Sequence, residues 1–353
     1  MHLGIFLGPF SRGPEDDLGV INLCIEQAIE AAEARFALVT FGEQHFNNYE
    51  PYCNPFLMGA HLAPYLKDSY FGTTITPLPL HQPIRLAEDM NILDILTRGK
   101  LIVGLSAGRA GLVRDFEAFG LDAADRDVLF ATKLEIMEKA WAKRPDDADL
   151  TFDTGFDKGG ILGASMTGGQ SRLMPASFRA GRPLYAIGTN SDGTVAKAGE
   201  QGHPLFLGPA TLEDAARRFG IYREAMEHAG HPQSLIDRNR RLSMITRLVI
   251  VDETEAKAEE RAGRMQKRVT FAPPGFEAIV GSPDSVASQI RQYEENGILH
   301  LHLRFTVGEG NFEDMKNSFR LFVKECAPQL DLQTFTPPSG VELRWPAANL
   351  KAA

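Results

Sequence analysis

At 353 residues with 43% apolar content, the chain is long enough for one large domain or two ordinary ones, and rich enough in apolar side chains for a substantial core. Its formal net charge of −9, with no Lys/Arg block, excludes the basic footprint that nucleic acid requires. Three separated cysteines, Cys24, Cys53 and Cys326, form no CxxC pair, so neither a zinc site nor a disulfide framework is suggested and a reducing compartment fits.

The opening MHLGIFLGPF is apolar but short and lacks basic residues, so it reads as a first strand (3–8) rather than a signal peptide. No apolar run reaches the ~18 residues of a membrane span, and the expected location is the cytoplasm. A helix over 17–34 follows, with Ile21, Cys24, Ile25, Ala28 and Ile29 on one face. Strands are predicted over 36–41 and 71–78. PIRLAEDMNILDILTRG (83–99) is a helix with Pro83 in its first turn, Gly99 as its stop, and Leu86, Met90, Leu93 and Leu96 on one face. A strand over 100–108 and a helix over 125–142 come next. Residues 145–182 are rich in Gly, Asp and Ser and read as a long insertion, a length usually functional or disordered. Strands are then expected over 182–188, 204–208, 241–253 and 298–305. Helices are expected over 192–202, 211–230, 254–269, 282–297 and 311–327, with Thr211 as an N-cap.

Eight strands, most followed by a helix and none joined by a hairpin signal, form a pattern of parallel βαβ units. The expected fold is an α/β (β/α)8 TIM barrel forming one domain over 1–330, with the insertion at 145–182 and a tail over 331–353. A doubly wound open sheet is the alternative.

In a TIM barrel the active site lies at the C-terminal ends of the strands. FGEQHF (41–46) ends the second strand, placing Glu43, Gln44 and His45 there. Thr76, His81 and Gln82 follow the third strand, Ser106 and Arg109 the fourth, and Thr189, Asn190, Ser191 and Asp192 the fifth. These groups either converge on one site or merely solvate a rim. GLSAGRAG (104–111) is not a GxGxxG fingerprint, and neither a GxxxxGK[ST] nor a GxSxG motif occurs. HLH (300–302) places two imidazoles on one strand face, but no third ligand accompanies them, so core or rim histidines are the expectation and no metal is assigned.

LPLHQPIRLAEDMNILDILTRGKLIVGLSAG (78–108) resembles the bacterial luciferase-like flavin monooxygenases, as do FGEQHF, RLVIVDETEAKAEE (247–260) and VGSPDSVASQIRQYEENGILHLHLRF (280–305). The pieces run in family order over nearly the whole chain, and the block at 83–104 is the most specific. The resemblance implies a TIM barrel, usually dimeric, that binds reduced FMN at its C-terminal mouth. It implies molecular oxygen as co-substrate, a small organic substrate, and a separate NAD(P)H:flavin reductase as partner. The flavin carries the hard chemistry, and the protein supplies binding, dryness and orientation.

The resemblance also implies roles for single residues. Gln44 stands where the family has the first His of its pair, and a Gln cannot take a proton near neutrality. His45 matches the second His and is titratable, so it either serves the chemistry or holds its loop. Thr73 and Thr74 lie on the strand beneath the flavin ring, and Ser106 lies near its reactive face. Ala107 replaces an arginine near the flavin phosphate. Arg109, Arg172 and Arg182 are the possible substitutes. Thr189, Asn190 and Ser191 precede a helix N-terminus and form either an anion cradle or simple caps. Gln82 stands where luciferases often have His, and Phe6 and Phe10 line an apolar pocket or belong to the core. The 145–182 insertion occupies the place of a mobile lid that excludes water. The readings that remain are a deazaflavin-dependent hydride-transfer enzyme and a non-catalytic flavin-binding subunit.

Overall fold

The computed structural model describes residues 1–108, 113–266, 277–305, 312–335 and 343–344. Four strands come first: β1 (His2–Phe6), β2 (Leu38–Phe41), β3 (Tyr70–Pro77) and β4 (Leu101–Ser106). The insertion holds β5 (Leu150–Asp153) and β6 (Lys158–Ile161). Then follow β7 (Tyr185–Thr189), β8 (Leu205–Leu207), β9 (Met244–Val251), β10 (Ala278–Gly281) and β11 (His300–Arg304). Parallel pairing runs β1–β2–β3–β4–β7–β8–β9–β11 and returns to β1, so eight strands close into a barrel. This is the (β/α)8 TIM barrel expected from the sequence, not the open sheet. β10 extends the barrel wall along the second half of β9.

The helices pack outside. Those of the first half are α1 (Pro14–Glu33), α2 (Pro55–Leu62), α3 (Pro83–Leu96), α4 (Val113–Ala118) and α5 (Arg126–Ala142). Those of the second half are α6 (Asp192–Glu200), α7 (Leu212–His228), α8 (Gln233–Leu242), α9 (Glu255–Gln266), α10 (Pro283–Glu295) and α11 (Phe312–Leu321). α3 shows how the sequence sets a boundary. The Gln82 side chain accepts from the Arg85 N–H at 2.7 Å, and Pro83 occupies the first turn. Leu86, Met90 and Leu93 are buried against the barrel, whereas Leu96, expected on the same face, is 46% exposed in the last turn. Among the described residues no helix is long and apolar enough to cross a membrane.

Besides α2, α4 and β10, for which the sequence carried no expectation, two segments stand out. The Gly-, Asp- and Ser-rich insertion contains an antiparallel hairpin, β5–β6. Residues 233–242, whose high charge hides its period, form α8, with Ile236, Asn239 and Leu242 buried at spacings of three. The strand expected from 241 therefore starts only at Met244.

Alternation along the strands divides the core into an outer layer under the helices and an inner layer on the barrel axis. On β1 and β11 the inward residues are His2, Gly4, Phe6 and His300, His302, Arg304. Gly4 is required by a close approach: a Cβ there would stand 2.0 Å from His302 Nδ1. Gly104 likewise makes room for the Phe206 ring, 2.8 Å from where its Cβ would be. At the base, Phe335 returns to cover the axis, its ring 4.8 Å from His2, 5.3 Å from Tyr70 and 5.2 Å from His300.

His300 and His302 are both fully buried. They are barrel-core histidines, and among the described residues no three metal-ligating side chains gather. Burial pulls the imidazole of His302 down to about 3 and that of His300 well below its ordinary range, so both are neutral at physiological pH. Gly4→Ala is expected to cost about 1–3 kcal/mol, because a ring tied to Thr40 has no room to yield. A lower urea midpoint at unchanged slope would show it. A parent-like midpoint would mean that the His302 ring moves freely.

Candidate active site

Among the described residues, Phe335 covers the barrel below, while the upper ends of its inward faces are partly exposed. The inward residues Gly72, Gly104 and Ala186 are buried, but those one step nearer the C-terminal ends, Thr74, Ser106, Gly188, Thr246 and Arg304, are all partly exposed. β3 carries a register shift between Thr73 and Thr76, and the Thr74–Ile75 peptide is cis. The shift lets the adjacent Thr74 and Ile75 both face the mouth. Ile75 lies across its floor against Gly188, with Cδ1 2.3 Å from where a Cβ at Gly188 would sit. The Thr74 hydroxyl lies 2.6 Å from that of Thr40, which lies 2.7 Å from His302 Nε2. The floor is thus a neutral hydrogen-bonded column flanked by an apolar side chain.

FGEQHF forms one wall. Glu43 is 6% exposed, and its Oε1 accepts from His81 Nε2 at 2.7 Å and from His45 Nε2 at 3.1 Å. Burial opposes ionisation of this carboxyl, but His81 and then His45 outweigh it, and Glu43 is held below the usual carboxylate range. With both Nε2–H groups turned to one carboxylate, each ring presents Nδ1 as its proton acceptor. The His45 ring packs edge-on against Phe119 at 4.9 Å, and Phe46, 75% exposed, lies beyond it. Gln44 is tied to the following turn: its amide donates to Glu50 Oε1 and accepts from Asn47, both at 3.4 Å.

The structure brings together some of the residues expected from the sequence and separates others. Thr74, Ser106 and Ala107 lie at the mouth, where Ser106 Oγ accepts from the Gly108 N–H at 3.1 Å. Thr73 faces outward, fully buried, and its hydroxyl donates to the Gly104 carbonyl. Phe6 is buried at the end of β1, under the Arg304 guanidinium. Phe10 packs on Tyr49 further out, and Gln82 is exposed and used as a helix cap. Arg109 lies outside the described residues. Arg182 precedes β7, so it sits at the base of the barrel on Glu138 and over Tyr185. Arg172 is exposed and turned to the Leu173 carbonyl.

Thr189, Asn190 and Ser191 lie at the end of β7, directly before α6. Asn190 braces the β8 end by accepting from the Gly208 N–H at 2.9 Å, and the Thr189 hydroxyl accepts from the Ser191 N–H at 3.0 Å. Ser191 makes no side-chain cap, so its hydroxyl and the first turn of α6 offer donors to an anion. Arg217 and Arg218 of α7 flank this turn but are held by Asp192 and Asp214.

Sequence reasoning missed Ile75, Thr246, Arg304 and Lys133. The two on β9 and β11 follow from strand alternation. Lys133 was visible as a lysine inside the buried stripe Leu129, Lys133, Ile136, Ala140 of α5. Ile75 carried no signal, because the register shift leaves no mark in the sequence.

Residues 1–276 match the family described as Luciferase-like monooxygenase. The chain belongs to the luciferase-like monooxygenase family. It is 26% identical over 266 residues to the alkanal monooxygenase alpha chain of the Kryptophanaron alfredi symbiont, covering 74% of this chain and 68% of that protein. Its fold matches the monooxygenase RslO1 from Streptomyces bottropensis with a TM-score of 0.78 at 22% identity, covering 93% of this chain and 99% of that one. It also matches the oxygenating constituent of 3,6-diketocamphane monooxygenase from Pseudomonas putida, solved with FMN. There the TM-score is 0.74 at 20% identity, over 95% of this chain and 100% of that one.

In this luciferase-like chain the ionised form of Glu43 should be measurable as stability. Its folded pKa lies below the ordinary 4.5, so its contribution is present above that pH and is lost as pH falls through the folded value. Glu43→Gln is therefore expected to unfold at lower urea than the parent near neutrality, with the two midpoints converging in acid. A gap that stays constant down to pH 3 would show that the imidazole contacts do not act through ionised Glu43.

Proposed function

We propose that the protein is a flavin-dependent monooxygenase that uses reduced FMN and molecular oxygen to oxidise a small organic substrate, with reduced flavin delivered by a separate NAD(P)H:flavin reductase. The observation that carries this reading is the juxtaposition at one barrel mouth of a neutral hydroxyl floor, an anion-compatible helix start and two imidazoles on a buried carboxylate. Family membership supports the flavin. The separate reductase rests on the resemblance to the flavin monooxygenases alone. A homodimer in the cytoplasm is part of the proposal, and the exposed apolar residues Leu57 of α2 and Ile92 and Leu96 of α3 support a second copy.

The residues present fit FMN. Thr189, Asn190, Ser191 and the α6 N-terminus would hold the phosphate, with Arg217 and Arg218 supplying the charge that Ala107 lacks. Thr74, Ile75 and Ser106 would bear on the ring. Reduced FMN, when bound, supplies the electrons and the oxygen-activating ring. Glu43 orients His45 and His81 so that either Nδ1 can accept a proton at the wall of the mouth. Gln44 contributes only hydrogen bonds. Phe46 and Phe119 shield the His45 side of the mouth from water and offer an apolar approach for substrate.

Anaerobic titration with reduced FMN, followed by mixing with oxygen, tests the reading. Binding, and reoxidation of the bound flavin more slowly than of free reduced FMN, is the expected result. No binding would direct attention to the deazaflavin hydride-transfer reading, and binding without any substrate turnover to the flavin-binding subunit. The phosphate placement has its own check. Asp192 is held well ionised by Arg217 and Arg218, and its charge opposes an anion at the same helix start. Asp192→Asn is expected to tighten reduced FMN about two- to fivefold. An unchanged Kd would place the phosphate elsewhere.

A further inference from the structure

Lys133 lies on α5 with its side chain 6% exposed. Its ammonium donates to the carbonyl oxygens of Pro79 and His81, both at 2.8 Å. These carbonyls belong to the loop between β3 and α3, the loop that puts the His81 ring on Glu43. The third donor of the ammonium is left for Asp157, whose Oδ2 stands 3.6 Å away, shielded from solvent and, among the described residues, without a hydrogen-bond partner. Asp157 closes the β5–β6 hairpin: its N–H donates to Thr154 Oγ1 at 2.9 Å, and its carbonyl accepts from the Thr154 N–H at 3.0 Å. Burial lowers the Lys133 pKa, and the Asp157 carboxylate counters that.

A cation buried this far is retained only where several acceptors replace water. Here the acceptors come from two separate parts of the chain, the His81 loop and the insertion. Neither part alone completes its surroundings. A lysine that merely stapled the His81 loop would need no carboxylate from the hairpin.

We propose that Lys133 is a positioning residue that couples the seating of the β5–β6 hairpin to the placement of the His81 imidazole on Glu43. With the hairpin seated, Asp157 holds the ammonium under the two carbonyls and His81 stays on the carboxylate. With the hairpin lifted, the ammonium turns toward water and the loop loses its clamp. The functional meaning rests on the reading of the mouth as the active site, but the coupling itself does not. Among the described residues, the His81 ring bonds Glu43, which His45 shares, and its loop is clamped by Lys133, which pairs with Asp157.

The test uses the full chain without flavin, so its failure is distinct from failure to bind FMN. The imidazole resonances of His81, assigned by their loss in His81→Gln, are compared in the parent, Asp157→Asn, Lys133→Met and Lys133→Arg. Proteolytic cleavage within residues 150–161 is timed in parallel. Asp157→Asn touches only the hairpin side. It is expected to shift the His81 resonances and to speed cleavage on the order of tenfold, as loss of one buried charge contact shifts a local opening equilibrium. Lys133→Met should do both more strongly, and Lys133→Arg should stay close to the parent. Faster hairpin cleavage in Asp157→Asn with unmoved His81 resonances would overturn the coupling. Unmoved resonances in a folded Lys133→Met would overturn the positioning role.

Discussion

The closure of the barrel depends on how little side-chain volume its axis-facing glycines contribute. Gly4, Gly72, Gly104 and Gly188 bring four of the eight strands to the axis without a side chain. The space goes to groups from nearby strands: His302 of the paired strand beside Gly4, and Phe206 and Ile75, each two strands away, beside Gly104 and Gly188. A larger residue would press on a ring or backbone carbonyl at Gly4, Gly72 and Gly104, and on the Ile75 side chain at Gly188. The same economy makes the floor of the mouth. His302 reaches Thr40 because Gly4 lets it, and Thr40 in turn holds the Thr74 hydroxyl. The packing that closes the core thus also builds the floor of the mouth.

The wall of the mouth follows a different logic. Glu43 is buried at the end of β2, where a lone carboxylate would favour its neutral form. Two imidazoles from neighbouring segments keep it ionised. The arrangement gives the barrel a pair of titratable rings whose orientation is fixed by an element that does not itself need to contact a ligand. Gln44 takes no part in this bonding, because its amide is held by Glu50 and Asn47 of the following turn.

Much of this was legible in the sequence, for physical reasons. Strand–helix alternation and the missing hairpin signals pointed to a parallel barrel, because burial on both faces and crossover connections leave a strong pattern. The ends of β2, β4 and β7 were readable as the rim for the same reason. The bonding within the rim was not. Nothing in FGEQHF tells that Glu43, rather than Gln44 or His45, is the buried centre, since its partner His81 lies 38 residues away. Thr73 and Thr74 could not be told apart either, because one faces the helices and the other the mouth only once the strand's register is known. α8 was hidden by its charge, since a helix with few buried positions and many arginines reads as a loop.

The return of Phe335 to the base of the barrel has a consequence for how the chain is made. The base is built from His2 and Tyr70, synthesised early, and from His300 and Phe335, synthesised late. His2 Nδ1 finds its partner in the Gln333 carbonyl, and the amino terminus finds one in the Asp331 carbonyl. Until those residues have left the ribosome, the axis stays open to water at its lower end and the first strand lacks the neighbour that closes the ring. The barrel therefore cannot close until its last strand and Phe335 have been made, and the nascent chain carries an unclosed sheet edge on β1 until β11 emerges.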